Sequence, residues 1–238
     1  MTLSIRRSSI AAALLLVACA PRPSVLPTPM YAKRAESTRG MVTASHADAA
    51  AAGAAILRAG RSAVDAAVAT AFALAVVEPS QTGLGAGGGM IVWQHGTRRA
   101  DALDFYARSG ADSAWARSDS GATRPDSGRA RRPINGRSAG IPGAVAGLLE
   151  AHSKWGKLTR AQVLAPAIAL ARDGFLVSPL LARTTESSRA KLSADSAAAA
   201  VFLPAGDSLR PGDRLVQLEL AKTLEAIARD GRSAFYEG

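Results

Sequence analysis

The sequence predicts an α+β fold, a prediction that three observations carry. Two Ala-rich segments with helix-capping residues at their starts follow one another between Ser45 and Glu78. A glycine-rich turn and two strand-like runs occupy 83–106, and capped helical patterns resume from Gly140. Helix, glycine turn and hairpin therefore follow in order before the chain returns to helices.

Composition sets the class within which that pattern is read. The 238 residues carry 29 Lys+Arg against 19 Asp+Glu, a formal charge of +10, with 48% hydrophobic and 20% charged residues and a single Cys. This globular balance excludes a disordered chain, a collagen and a disulfide scaffold, and the length admits one large domain or two small ones. Of the basic residues 24 are Arg, and Ala is abundant throughout, a skew of genome composition more than of a basic binding surface. Nucleic-acid binding would gather Lys and Arg on one face with stacking aromatics. Aromatics are only 5%, and the densest basic stretch, Arg129, Arg131, Arg132 and Arg137, lies among Ser, Gly and Asp, so no nucleic-acid partner is expected.

The chain opens with Arg6 and Arg7, an apolar run over 10–18, and Leu16-Val17-Ala18-Cys19. The run is shorter than the roughly 20 residues a membrane span needs, so 1–19 reads as a secretory leader. Its end resembles a bacterial lipoprotein lipobox, with Cys19 as the lipidated residue. A lone thiol in an oxidising periplasm is a liability that acylation removes. The expected location is the periplasm or cell envelope, anchored to membrane through lipid. Residues 20–39, with Pro21, Pro23, Pro27 and Pro29, read as a stiff tether. Loss of Arg6 and Arg7 lowers the formal charge from +10 to +8.

From Gly40 a patterned domain runs to 238, opening with a short strand-like run, 41–44. Ser45-His46-Ala47-Asp48 has capping-box form, with Asp48 in place of Glu or Gln, ahead of a helix that reaches Arg58 and is stopped by Gly60. A second box, Ser62-Ala63-Val64-Asp65, starts a helix in which Val64, Val68, Ala71 and Ala75 recur at helical spacing. Its surface is almost wholly apolar, which implies burial on most sides. After Glu78-Pro79 come the glycine-rich run 81–89 and strand-like runs at 90–94 and 100–106, joined around His95-Gly96. Residues 107–137 repeat Ser, Asp, Gly and Arg with almost no large apolar side chains and read as a surface excursion. Gly140-Ile141-Pro142-Gly143 then begins a helix with Pro near its first turn. Thr159-Arg160-Ala161-Gln162 caps a helix reaching about Asp173, Ser178-Pro179 starts another, and 215–228 carries the last long amphipathic pattern.

Three chemical motifs fail on context. Gly83-Leu84-Gly85-Ala86-Gly87-Gly88 satisfies GxGxxG, but a helix precedes it and a strand follows, the reverse of a dinucleotide site, so close backbone packing is the expected role. Gly136-Arg137-Ser138-Ala139-Gly140 satisfies GxSxG without the hydrophobic strand a nucleophile elbow requires. His46, His95 and His152 show no metal-ligand spacing and have no Cys partners. Capping or solvent exposure accounts for each of them.

The blocks are more informative in series than singly. The run 40–46, the run 60–69 and the run 77–89 look like the start of a gamma-glutamyltranspeptidase. The resemblance continues through Ala139-Gly140-Ile141-Pro142-Gly143 with Gly147, Trp155-Gly156-Lys157-Leu158, Leu164-Ala165-Pro166-Ala167-Ile168, Gly174-Phe175, Gly212-Asp213 and Phe235-Tyr236-Glu237-Gly238. It implies an N-terminal-nucleophile hydrolase with an αββα sandwich, incomplete in this chain, made as a precursor that cuts itself into large and small subunits. A Thr freed by that cut attacks the amide, and its own α-amino group acts as base in place of a His. The γ-glutamyl group of glutathione or a related amide then passes to water or an amino acid.

The same resemblance implies that the chain stops inside the large subunit, so the nucleophile and the small subunit belong to a missing C-terminal part. None of Thr43, Thr70, Thr82 or Thr97 matches the nucleophile position, and the chain alone is expected to be inactive. No metal or organic cofactor is implied. One family site residue falls within range, an Arg after the Leu-Asp strand whose fork pairs with the glutamyl α-carboxylate. In Leu103-Asp104-Phe105-Tyr106-Ala107-Arg108, Tyr106 holds that position and Arg108 comes two residues later. Either a small bulge brings Arg108 into place, or Tyr106 occupies the pocket and another acyl group is taken, as in cephalosporin-acylase-like amidases. A noncatalytic lipoprotein that keeps the scaffold for interaction is the reading from a different class.

Overall fold

An almost entirely apolar helix lies at the centre of the unit formed by residues 37–238. In the computed structural model, which describes residues 36–60, 62–108 and 140–237, helix α1 spans Ala47–Arg58 and helix α2 spans Ala63–Val77. Helix α2 has no polar face, and α1, α3 (Ala144–Trp155) and α4 (Arg160–Asp173) pack around it. Phe72, Val68, Val76 and Val77 are fully buried there. Close approach of α1 depends on Gly53: a Cβ at that position would lie 2.1 Å from Thr70 Oγ1. On the far side α4 meets α8 (Leu218–Asp230), whose Ala221, Leu224 and Ile227 form the single apolar stripe of an amphipathic helix.

Between α2 and α3 in the chain comes an antiparallel hairpin, β1 (Gly89–Gln94) and β2 (Arg99–Asp104), in register from Gly89↔Asp104 to Gln94↔Arg99. Alternation gives it two unlike faces. Met90, Val92 and Leu103 pack on the helical core. Ile91 and Trp93 point the other way, 80% and 59% exposed, opposite Ala102 and Ala100. An apolar sheet face left bare is the surface on which a second sheet packs in a layered fold. A two-residue ribbon, β3 (Phe175–Leu176) with β4 (Arg214–Leu215), the short helices α5 (Pro179–Ser187), α6 (Arg189–Leu192), α7 (Ser196–Phe202) and α9 (Ser233–Tyr236), and a 3-10 turn at Pro204–Gly206 complete the described elements.

Most expected boundaries match, and the departures have physical reasons. The cap of α1 is His46, whose Nδ1 accepts the Asp48 N–H at 3.2 Å, while Ser45 Oγ turns away to donate to Glu78 Oε2. Residues 41–44 pair with no strand among the described residues. Helix α3 begins after Gly143, because Gly140 and Ile141 run extended and Ile141 bridges Arg108. The last long helix starts at Leu218, not 215, since Leu215 pairs with Phe175. His152, expected to be accounted for by capping or solvent, is buried against Asp65. The leader with Cys19, the tether as far as 35, residues 109–137 of the excursion and Ser138 of the GxSxG motif lie outside the described residues.

Candidate functional site

The glycine block sets where the hairpin ends. Gly88 and Phe105 exchange backbone hydrogen bonds, and Gly87 lies so close to the next residues that a Cβ would sit 2.3 Å from Ala107 N. Phe105 turns inward over α3, where a Cβ on Gly147 would fall 2.0 Å from its ring. These contacts agree with the packing role read for the GxGxxG run, although Gly83 and Gly85 have open space around them.

Beyond Phe105 the strand changes partner. Tyr106 N–H donates to Asp104 Oδ1 at 3.0 Å, and Arg108 exchanges two backbone bonds with Ile141, at 3.1 and 2.7 Å. Tyr106 and Arg108 are both exposed, Tyr106 at 72%, and both line one open cleft of about 970 Å³. In extended chain two residues span about 6.6 Å, so the guanidinium is rooted that far past the tyrosine.

The rest of the cleft comes from elements distant in sequence. Its floor includes Phe105, Ala146 and Leu149, and its walls include Arg160, Arg232 and Tyr236. Gly143 has no side chain with which to cap α3, so the helix finds partners elsewhere. The Ala86 carbonyl accepts from Gly143 N and Ala144 N, and Tyr236 Oη accepts from Ala146 N at 3.1 Å while donating to Pro142 O at 2.8 Å. Arg232 stands over the Tyr236 ring, 5.3 Å from its centroid. Arg160 donates to the Ala228 and Arg229 carbonyls at the end of α8. Sequence reasoning singled out Tyr106 and Arg108 but not Arg160, Arg232 and Tyr236 as their neighbours. The only signal for the last was its place in the terminal Phe-Tyr-Glu-Gly block.

A second polar cluster centres on a buried carboxylate. Asp65 is fully buried and closes the capping box of α2, accepting from Ser62 N and Oγ, and also accepts from Lys157 N and Leu158 N at 3.0 and 3.3 Å. Burial pushes its carboxyl up, but the hydrogen bonds from Lys157, Ser62 and Leu158 outweigh burial and hold it below the ordinary value of 3.8. Gly156 makes the approach possible, because a Cβ there would meet His152 Cδ2 at 2.5 Å and Asp65 Oδ1 at 2.8 Å. His152 Nε2 lies 3.5 Å from Asp65 Oδ1 and has no hydrogen-bond partner among the described residues. This cluster fastens the start of α2 to the segment between α3 and α4, and its His152 also lines the cleft beside Tyr106. Thr70 is likewise spent, donating to Ala66 O at 2.7 Å within α2.

The gamma-glutamyltranspeptidase family model matches residues 49–238. The chain belongs to this family. It is 40% identical over 201 residues to the glutathione hydrolase proenzyme of Bacillus subtilis (strain 168), a match covering 84% of this chain and 34% of that protein. It is 38% identical over 222 residues to the acylase ACY 1 proenzyme of Pseudomonas sp. (strain V22), covering 92% of this chain and 40% of that one. The gamma-glutamyltranspeptidase of Helicobacter pylori superposes with a TM-score of 0.73 at 30% identity, covering 86% of this chain and 58% of that chain. The chain thus spans 34–40% of the length of these two curated relatives. Its fold is part of the αββα sandwich of the N-terminal-nucleophile hydrolases.

Proposed function

We propose that this chain is the large-subunit part of a gamma-glutamyltransferase or glutathione hydrolase precursor, an enzyme that moves a γ-glutamyl group from glutathione or a related amide to water or an amino acid. The attacking Thr belongs to polypeptide outside this chain, and its own amine removes the hydroxyl proton as the acyl-enzyme forms. The supporting observation is the end of β2, where Arg108 projects into an open cleft from a backbone fixed at both hydrogen-bonding groups by Ile141. A guanidinium on so rigid a root suits bidentate pairing with the glutamyl α-carboxylate. In the complete enzyme, Arg108→Ala raises KM for γ-glutamyl-p-nitroanilide at least tenfold, since a charge-assisted pair contributes about 1.5–3 kcal/mol. An unchanged KM rejects Arg108 as the anchor.

Tyr106 supports a second reading, an acylase that takes a different acyl group, because it stands where the family's Arg is expected and ACY 1 is among the similar proteins. On that reading Tyr106→Arg creates γ-glutamyl transfer where wild type has little. Cys19 we read as the lipidated residue that holds the protein at the cell envelope. Metabolic labelling with radioactive palmitate tests this, and label retained by Cys19→Ser refutes it.

A further inference from the structure

The cleft beside Tyr106 carries more positive charge than its own acids neutralise. Arg108 enters from the strand end, Arg160 from the first turn of α4 and Arg232 from the turn after α8. The acids lining it are Asp104, whose Oδ1 accepts the Tyr106 N–H, and Glu150, which pairs with Lys154 at 3.0 Å. Arg160 is committed to the carbonyls that end α8. Arg108 and Arg232 pair with no carboxylate among the described residues. Arg232 is steadied by the Tyr236 ring, a stacking contact that leaves the in-plane N–H donors of its fork available. Tyr236 is itself pinned by Pro142 and Ala146, so this wall is set in place before any ligand arrives.

The same cleft is lined by the apolar side chains of Phe105, Ala146 and Leu149, and its volume of about 970 Å³ falls within the range of small-molecule sites. A site of this kind rewards a ligand with an apolar middle and an anion at each end, because each fork then gains a bidentate partner and the methylenes leave water. We propose that the cleft binds dicarboxylates, with Arg108 on one carboxylate and Arg232 on the other. The Arg108 half rests on the functional reading above. The Arg232 half adds a second anchor and with it a substrate class: amides that carry two carboxylates separated by an apolar stretch.

The test is calorimetric binding of α,ω-dicarboxylates from glutarate to sebacate to the 238-residue chain, with octanoate as the monocarboxylate of similar length. One dicarboxylate length is expected to bind at least about tenfold more tightly than octanoate, and to weaken as salt is raised. Arg232→Gln abolishes that preference, and so does Arg108→Gln. Arg210→Gln, outside the cleft, leaves it intact. Both cleft arginines are exposed, so folding survives either change, and matching melting curves verify this. Equal binding of octanoate and every dicarboxylate, or an unchanged preference in Arg232→Gln, overturns the proposal. No turnover is needed for this readout. A complete enzyme that failed to act on γ-glutamyl amides would therefore leave the dicarboxylate site standing, and loss of the site would leave the acyl-transfer reading standing.

Discussion

Removing the charge of Asp65 is the sharpest perturbation of this fold, because one buried carboxylate joins two segments 92 residues apart. It takes the Ser62 N–H and hydroxyl at the start of α2 and the N–H groups of Lys157 and Leu158 between α3 and α4. Hydrogen bonds to a charged group contribute about 1.5–3 kcal/mol each, and an orphaned buried donor costs about 1–3 kcal/mol. Asp65→Ala orphans three backbone donors, but it also relieves the cost of burying a charge, so a net loss of about 3–5 kcal/mol follows. Asp65→Asn keeps one acceptor oxygen and turns an amide NH2 toward the remaining donors, for a loss of about 2 kcal/mol. Ser62→Ala removes only the side-chain cap, about 1 kcal/mol, so the excess in Asp65→Ala measures the link to 157–158 together with the Ser62 N–H bond. Urea unfolding followed by circular dichroism at neutral pH reads all three. Wild-type stability in both Asp65 variants refutes the clasp. The sign of the pH dependence is fixed as well. The carboxyl is held below its ordinary value in the folded chain, so its contribution is complete above about pH 4 and disappears as pH falls through the folded-state value. Wild type therefore loses more stability on acidification than Asp65→Asn, and parallel acid profiles contradict the assignment.

Two further perturbations probe the scaffold of the cleft. Gly147→Ala places a methyl 2.0 Å from the Phe105 ring, and the forced shift costs about 1–3 kcal/mol in urea melts and raises KM in the complete enzyme by displacing the Tyr106–Arg108 strand. Tyr236→Phe loses the bonds to Pro142 O and Ala146 N, a cost of about 1–2 kcal/mol, and faster amide hydrogen exchange at the first turn of α3 identifies where the loss is felt.

Much of this architecture was legible because its signals act over a few residues. The boxes Ser62–Asp65 and Thr159–Gln162 close as the sequence implies, with each N3 side chain returning to its cap. Ser178-Pro179 opens α5, and the hairpin ends within a residue or two of its expected limits. Failures cluster where a distant partner decides. Ser45 is a competent cap, but buried Glu78 takes its hydroxyl and His46 caps instead. Residue 215 continues an amphipathic period, but Phe175 recruits it into a ribbon. His152 sits on a helix face that reads as polar, and Asp65 with Gly156 covers it.

For the candidate site, the sequence alone placed Tyr106 and Arg108 at a strand end and showed that their order departs from the pattern the chain resembles. It also determined that helices and a glycine-closed hairpin share one chain, since capping, helical period and glycine freedom are properties of neighbouring residues. Only the tertiary structure decided that Tyr236, 94 residues beyond Pro142, completes the start of α3, and that Arg232 faces the same cleft as Arg108. Periodicity marks which face of an element is apolar or charged. What that face meets is settled by packing across long sequence separations, where the gain of each contact depends on every other element already being in place.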